Sequence, residues 1–420
     1  MSMAVSARVQ AARSSETAAT RSTAPLRICY VSADYPTLTR GGIGGIGGHS
    51  YTLAHAVAAL GHDVSVIGEA SGAPGLDADG RVRVHAISRG SRRQWKLGRV
   101  LPVPWIRWTF AVERKLRALH AECPLDLVVF PDAYAEGFRF SLAPFVPFAV
   151  RFGGPASVVQ RWDGRAINPV RRSIEWRLER TPAARADILL CASRGFADQI
   201  ADEWDLDASR FRIVRNPLNL ERFHPAAAPV QPEGKRVLFV GHIQPLKGLR
   251  ELVAAVPAVV AQHPEARFRF LGNDTMTGPD RSSLRKSLEG SLRGEGVLDH
   301  VEFLDPLPQS DLPPLYRDCS VFVLPSHHDV YPNAVLEAMG CGRPVVVTQT
   351  AGTAELVTES ACGIVVPPKD APALAAAISR ILALPEAELA DMGMRGRRLV
   401  ERVCATPVIA EQAVAAYREA

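Results

Sequence analysis

Two successive α/β domains, each built on its own parallel sheet, are what the sequence predicts, and three observations predict them. Short β-branched and aromatic runs alternate with helical stretches from Leu26 onward. The alternation stops at a polar, proline-containing stretch, residues 224–235, and restarts with RVLFVG. The length, 420 residues, suits two domains of ordinary size, each with its own core.

Residues 1–25 are mostly Ala, Ser, Thr and Arg, without the apolar core of about 7–15 residues that a secretory signal needs. A disordered tail is expected there. LRICYVSA, starting at Leu26, reads as a buried strand. After a glycine-rich stretch, residues 50–60 carry apolar side chains at helical spacing, and Gly61-His62 stops them. DVSVIGEA is the next strand; RVRVHAI, LDLVVF, FAVRF, ADILLCAS and FRIVRNP continue the sheet to residue 217. The second domain, residues 218–400, opens with RVLFVG. Residues 249–263 follow as an amphipathic helix, then ARFRFLG, VEFLDPL, SVFVLPS, RPVVVTQ and GIVVPP as strands. Residues 401–420 are expected to form a helix that packs back towards the first domain. Sheets of this kind bind ligands beyond the carboxyl ends of their strands, so the cleft between two facing domains is the expected site.

Composition excludes several classes. An apolar fraction of 47% is too high for a disordered chain, and no apolar run approaches the roughly 18–20 residues needed to span a bilayer. Seven cysteines without a CxxC pair give neither a disulfide framework nor a zinc knuckle, which favours a reducing, cytoplasmic setting. A net charge of +5 is too weak to argue for nucleic acid. Only six of the basic residues are lysines, at 96, 115, 235, 247, 286 and 369.

Gly42, Gly44 and Gly47 match a dinucleotide-binding fingerprint, with Glu69 where a ribose-binding acid would sit. ADYPTLTR separates the strand from the first glycine, however, and that loop is too long for a pyrophosphate to meet the helix directly. The strongest signal is LPSHHDVYPNAVLEAMGCGRPVV. A strand ends at Ser326, and Asp329 and Glu337 flank the start of a helix that Asn333 is expected to cap. A carboxylate there can accept both hydroxyls of a ribose while backbone amides hold phosphate oxygens; the alternative is a capped surface helix with two solvated acids. Lys247 stands in GHIQPLKG, after the opening strand of the second domain, where a cation can neutralise a departing diphosphate. No metal site is expected. The pairs Asp77/Asp79 and Asp205/Asp207 lack further ligands, and His327-His328 lacks a third. These two histidines are expected to line the pocket. Residues 89–117 combine many basic side chains with Trp95, Trp105 and Trp108, which suits either an anionic lipid surface or tryptophans packed in the first domain. Residues 171–180 read as a charged helix with a solvated face.

The stretch from Leu26 to His62, with NPLNLERF, GHIQPLKG, FLGND, VEFLDPLP and PSHHDVYPNAVLEAMGCGRPVV in that order, resembles the family-4 glycosyltransferases over nearly the whole chain after the tail. The resemblance implies a GT-B fold, two facing Rossmann-like domains with a deep cleft, and a retaining transfer that needs no metal or other cofactor. The nucleotide-diphosphate sugar is then a co-substrate, and a glycan, glycolipid or small metabolite supplies the hydroxyl acceptor. Carried onto this chain, Glu337 binds the ribose, and Lys247 binds the diphosphate with His242 beside it. Asp329, Val330, Tyr331, Pro332 and Asn333 hold the sugar and phosphate, and Lys247, Asp329 and Glu337 make up the catalytic set. Gly44 and Gly45 close over the diphosphate, Gly272 and Leu307 lie near the base, and Gly153 and His49 stand on the acceptor side. Three positions depart from the family pattern: His242 replaces an arginine, Asp329 a glutamate, and Gly153 a histidine. A non-catalytic sugar-nucleotide-binding protein of the same fold therefore stays open, as does, more remotely, an NAD- or FAD-dependent oxidoreductase. A cytoplasmic enzyme is expected, with peripheral contact at the inner face of the membrane through residues 89–117 and no nucleic acid partner.

Overall fold

The computed structural model describes residues 24–36, 45–70, 75–76, 80–88, 102–162, 168–226 and 234–420. The expected tail up to residue 23, Gly42, Gly44, the Asp77/Asp79 pair and Trp95 lie outside the described residues. Two parallel sheets form, each inside its own α/β domain.

The first sheet contains β1 (Arg27–Val31), β2 (Asp63–Glu69), β3 (Gly75–Leu76), β4 (Val82–Ile87), β5 (Leu127–Pro131), β6 (Phe148–Phe152), β7 (Ile188–Cys191) and β8 (Phe211–Ile213). Its order is β3-β4-β2-β1-β5-β6-β7-β8, parallel throughout except for β3. Helices cover both faces, which is why β1 and β5 read as continuous apolar runs rather than alternating ones. Within them the period-two rule still sorts the side chains. Cys29, Val31, Val128 and Phe130 enter a core with Trp108, Phe140 and Trp204; Ile28, Tyr30, Leu127 and Val129 enter another with Leu53, Val57 and Ile409.

The second sheet contains β9 (Arg236–Val240), β10 (Arg267–Leu271), β11 (Val301–Leu304), β12 (Val321–Leu324), β13 (Val345–Thr348) and β14 (Gly363–Val366), in the order β11-β10-β9-β12-β13-β14 and all parallel. After the helix Glu386–Val403 the chain crosses back. Leu218 N–H donates to the Cys404 carbonyl at 2.7 Å, and Thr406 N–H donates to the Leu218 carbonyl at 3.2 Å. The outgoing and returning strands of the connection are thus tied together. The last helix, Thr406–Tyr417, buries Ile409, Ala413 and Tyr417 against the first domain, where the Tyr30 and Tyr417 hydroxyls lie 3.1 Å apart.

One sequence expectation changes here, and of the two readings of the tryptophans the packed one holds for Trp108. The charged helix, Pro169–Arg185, does not keep its acids in water: Glu175 and Glu179 are both buried. Glu179 accepts the N–H groups of Tyr134, Ala156 and Ser157, each at 3.0 Å, and so satisfies backbone donors at the start of the helix Ala156–Trp162. Trp108 packs wholly inside the first core, and Trp105 makes an edge contact with Tyr134 at 5.4 Å between ring centroids. Among the described residues no helix is long and apolar enough to cross a membrane. All seven cysteines are free.

Candidate functional site

In each sheet the strand order reverses at one place, between β1 and β5 in the first and between β9 and β12 in the second. A crevice opens at such a reversal because successive connections depart to opposite sides. The two loops that leave the second crevice carry Lys247 and Asp329. The chain after β9 passes through a 3₁₀ turn, Pro245–Lys247, into Gly248. Gly248 has φ +70°, and a Cβ there would lie 1.9 Å from the Pro325 carbonyl oxygen, so only glycine lets the loop after β9 press against the loop after β12. The result is an ion pair: Lys247 Nζ donates to Asp329 Oδ2 at 2.5 Å, with both side chains mostly buried. The Asp329 backbone is held too, donating to Thr350 and accepting from Gly352.

The helix Asn333–Gly340 starts one step later. Asn333 is not its cap: Pro332 holds the N-cap position without a side-chain bond, and the Asn333 side chain turns to Asn216 instead. Val335 N–H donates to the Pro332 carbonyl at 3.2 Å, which leaves the Asn333 and Ala334 N–H groups without a partner in the helix. Glu337, on its second turn, is buried at 6% exposure. Tyr316 Oη donates to its Oε2 at 2.7 Å, and Gln309 Nε2 approaches Oε1 at 3.5 Å. Burial pushes the Glu337 carboxyl up, against the opposing effect of these two hydrogen bonds. His242 is exposed; desolvation by the surrounding loops and the Lys247 ammonium hold its imidazole below the usual histidine value, so it is neutral at pH 7. The two histidines expected to line the pocket diverge. His327 Nε2 lies 3.0 Å from Glu251 Oε1, whereas His328 stacks on Trp162 of the first domain with ring centroids 4.6 Å apart and planes 13° from parallel. Gly272 sits where a Cβ would be 1.9 Å from the Gly241 carbonyl, and Leu307 is exposed.

Across the cleft, the helix Gly45–Ala59 begins at the exposed Gly45, while Gly47 packs so close to the Asp34 carbonyl that a Cβ would stand 2.1 Å away. Both ring nitrogens of His49 are shielded from solvent without a hydrogen-bond partner, and burial with the nearby Arg151 charge holds its pKa well down. Gly153 and Gly154 both donate backbone N–H groups to Asp132 Oδ2, at 3.1 and 3.0 Å. A Cβ at Gly153 would touch Ile46 at 3.4 Å, so a larger side chain there must compete with the start of that helix. Burial raises Asp132 to about 7. Sequence reasoning did not single out Asp132, Tyr316, Trp162 or Asn216. The acid that directly follows a buried strand in FPD was the one readable sign, because it places Asp132 at the carboxyl end of β5, beside the first reversal. Among the described residues no three His, Cys, Asp or Glu side chains are grouped to hold a metal ion, and Asp207 caps a short turn through Ser209 N–H.

Comparison with known proteins places this geometry. The family described as Glycosyltransferase Family 4 matches residues 43–222, and the one described as Glycosyl transferases group 1 matches residues 234–383. A D-inositol 3-phosphate glycosyltransferase from Salinispora arenicola is 32% identical over 221 residues, 49% of each chain. The chain thus spans about half the length of that relative. A glycogen synthase from Mycobacterium tuberculosis is 26% identical over 382 residues, 86% of this chain and 87% of the other. Among solved structures, a sucrose-phosphate synthase from Thermosynechococcus elongatus superposes with a TM-score of 0.77 at 24% identity, covering 94% of this chain and 98% of the other. Anabaena HepE in complex with UDP and glucose superposes with a TM-score of 0.69 at 16% identity, covering 92% and 98%. These last two share the fold.

Proposed function

The chain belongs to the family-4 glycosyltransferases of GT-B fold, and from that premise we propose a retaining, metal-independent transfer of a sugar from a nucleotide diphosphate to a hydroxyl acceptor. The observation that carries the reading is the Lys247–Asp329 pair at the second sheet's reversal, beside the Asn333 and Ala334 amides that open the helix Asn333–Gly340. A fixed ammonium and aligned backbone dipoles match the negative charge that grows on a leaving diphosphate. Glu337, buried but kept hydrogen-bonded, is the group for the ribose hydroxyls. With the sugar's leaving and entering oxygens on one face, the departing phosphate oxygen takes the acceptor's proton as the new C–O bond forms. That route needs no protein base, which fits a glycine at 153 and a His49 whose imidazole, held well below its ordinary value by burial, is a weak proton acceptor. In the same reading an anionic membrane surface meets the exposed Phe110 and the exposed arginines 107, 114 and 117 of the helix Val103–Glu122.

The test is calorimetry and initial rates with UDP-, GDP- and ADP-sugars in the presence of EDTA, with the anomeric configuration of the product read by NMR. Turnover with retention and without added metal is expected. An inverted product, or turnover that EDTA abolishes and a divalent ion restores, defeats the corresponding part of the proposal. Binding without transfer or donor hydrolysis across an acceptor panel favours the non-catalytic reading instead.

A further inference from the structure

NPLNLERF, the motif at the junction of the two domains, carries a hydrogen-bond relay that the site roles above leave unused. The Asn216 side chain has three partners. Its Oδ1 accepts from Arg151 Nη2 at 2.9 Å; its Nδ2 donates to the Tyr331 carbonyl at 3.0 Å and to Asn333 Oδ1 at 2.8 Å. Arg151 lies on β6, buried, and its other terminal nitrogen donates to the Val214 carbonyl. Because a guanidinium only donates, the amide must turn its oxygen to Arg151 and its NH₂ to the loop. The relay therefore has one direction, from the first sheet, through the connector, to the backbone that leads into the helix Asn333–Gly340.

That backbone is held from the first domain at two more points. Trp162 stacks on His328, and the Val330 side chain, beside Gly154, is buried in the first domain's core. Fixing the Tyr331 carbonyl sets the peptide plane before Pro332, which has no N–H of its own. Tethering Asn333 Oδ1 fixes the side chain of the first helical residue to the connector. Both contacts fix the orientation of the Asn333 and Ala334 N–H groups, which have no partner in the helix and can receive an outside anion.

We propose that Asn216 is a positioning residue: through Arg151 it holds the Tyr331–Asn333 backbone in the conformation that receives the donor's diphosphate, so the second domain's binding loop is shaped by the first domain. The inference rests on the donor site proposed above. Asn216 touches neither substrate nor reacting atom in this role.

The test uses the full chain and three probes, UDP, GDP and ADP, titrated by calorimetry into wild type, Asn216→Asp, Asn333→Ala and the double variant, with thermal unfolding and steady-state kinetics alongside. Asn216→Asp keeps an acceptor for Arg151 and removes both donors to the loop. Its dissociation constant for the nucleoside diphosphate that wild type binds is expected to rise about tenfold. Donor KM should rise by the same factor, with kcat within about twofold, because the loop serves ground and transition states alike. Asn333→Ala removes one of the two loop partners and should weaken binding about threefold; the double variant should be no worse than Asn216→Asp, since both act on one relay. Asn216→Asp binding as tightly as wild type, or additive losses in the double variant, overturns the positioning role. If Asn216→Asp does not fold, Asn333→Ala with wild-type binding does the same. Wild type binding none of the three probes overturns the donor site itself, and this role with it.

Discussion

Replacing Lys247 by alanine removes the side-chain cation that pairs with Asp329 in the second crevice, and its cost can be worked from the geometry. Two unit charges about 4 Å apart at an effective dielectric near 20 interact by about 4 kcal/mol. Lys247 is 21% exposed and shares its charge with Asp329, so the full figure is an upper bound. Against that, the variant leaves the Asp329 carboxylate, 14% exposed, without its partner and facing the diphosphate. A net loss of about 2–4 kcal/mol in transition-state stabilisation follows, roughly 30- to 1000-fold in kcat/KM, in line with removing one preorganised donor. Initial rates on a proven donor, with calorimetry of the matching nucleoside diphosphate, give both halves of the effect. The double variant Lys247→Ala/Asp329→Asn should recover part of the loss, because it removes the stranded charge. Lys247→Ala with kcat/KM within threefold of wild type would show that the diphosphate does not sit at this reversal.

Three further outcomes follow from packing and ionisation. Tyr316→Phe removes the 2.7 Å bond that opposes the upward push of burial on Glu337, so its carboxyl should protonate at higher pH. The acid limb of donor affinity, read by calorimetry between pH 5 and 8, should move to higher pH, with a loss of about 1–3 kcal/mol in urea unfolding. Gly248→Ala places a Cβ 1.9 Å from a carbonyl oxygen at φ +70° and should cost about 2–3 kcal/mol in the same measurement; an unchanged midpoint would contradict the close approach of the two loops. Asp132 has a folded value of about 7 against an ordinary 3.8, so its contribution to stability is full below about 4 and is lost as pH rises through 7. Asp132→Asn, which retains an acceptor for Gly153 and Gly154, should flatten the fall of melting temperature across that window; an unaltered slope would mean that Asp132 ionises normally.

The strands were legible because β1, β5, β9 and β12 are covered on both faces, and such strands need continuous apolar runs that stand out in any sequence. Lys247 and Asp329 were each legible as cleft residues for a related reason: each follows such a strand, and a strand end fixes where its loop emerges; their pairing was not. What escaped was long-range or relational. Nothing in the spacing of RRSIEWRLER shows that Tyr134, Ala156 and Ser157 will need an acceptor, yet that need buries Glu179. Asn333 has the residue type of a cap, and Pro332 one place earlier gave no sign that Asn216 would compete for its side chain. Trp162 and His328 meet only because two domains face each other.

These misses fall in one region, and that has a physical reading. The loop from His328 to Asn333 is the part of the second domain that both domains hold. Within the second domain Asp329 is tied to Thr350, Gly352 and Lys247; the aromatic stack on His328 and the amide relay to Tyr331 and Asn333 reach in from the first domain and the connector. The charges nearby nearly cancel, since Lys247 is paired with Asp329 and His242 is neutral at pH 7. Affinity for a diphosphate must then depend less on net charge than on how accurately backbone dipoles are aimed, and aiming is what the contacts across the cleft supply. A histidine at 242, where the resemblance implies an arginine, lowers the positive charge of the site, while Asp329 in place of a glutamate leaves the charge unchanged, so more of the function falls on the placement of one short stretch of backbone.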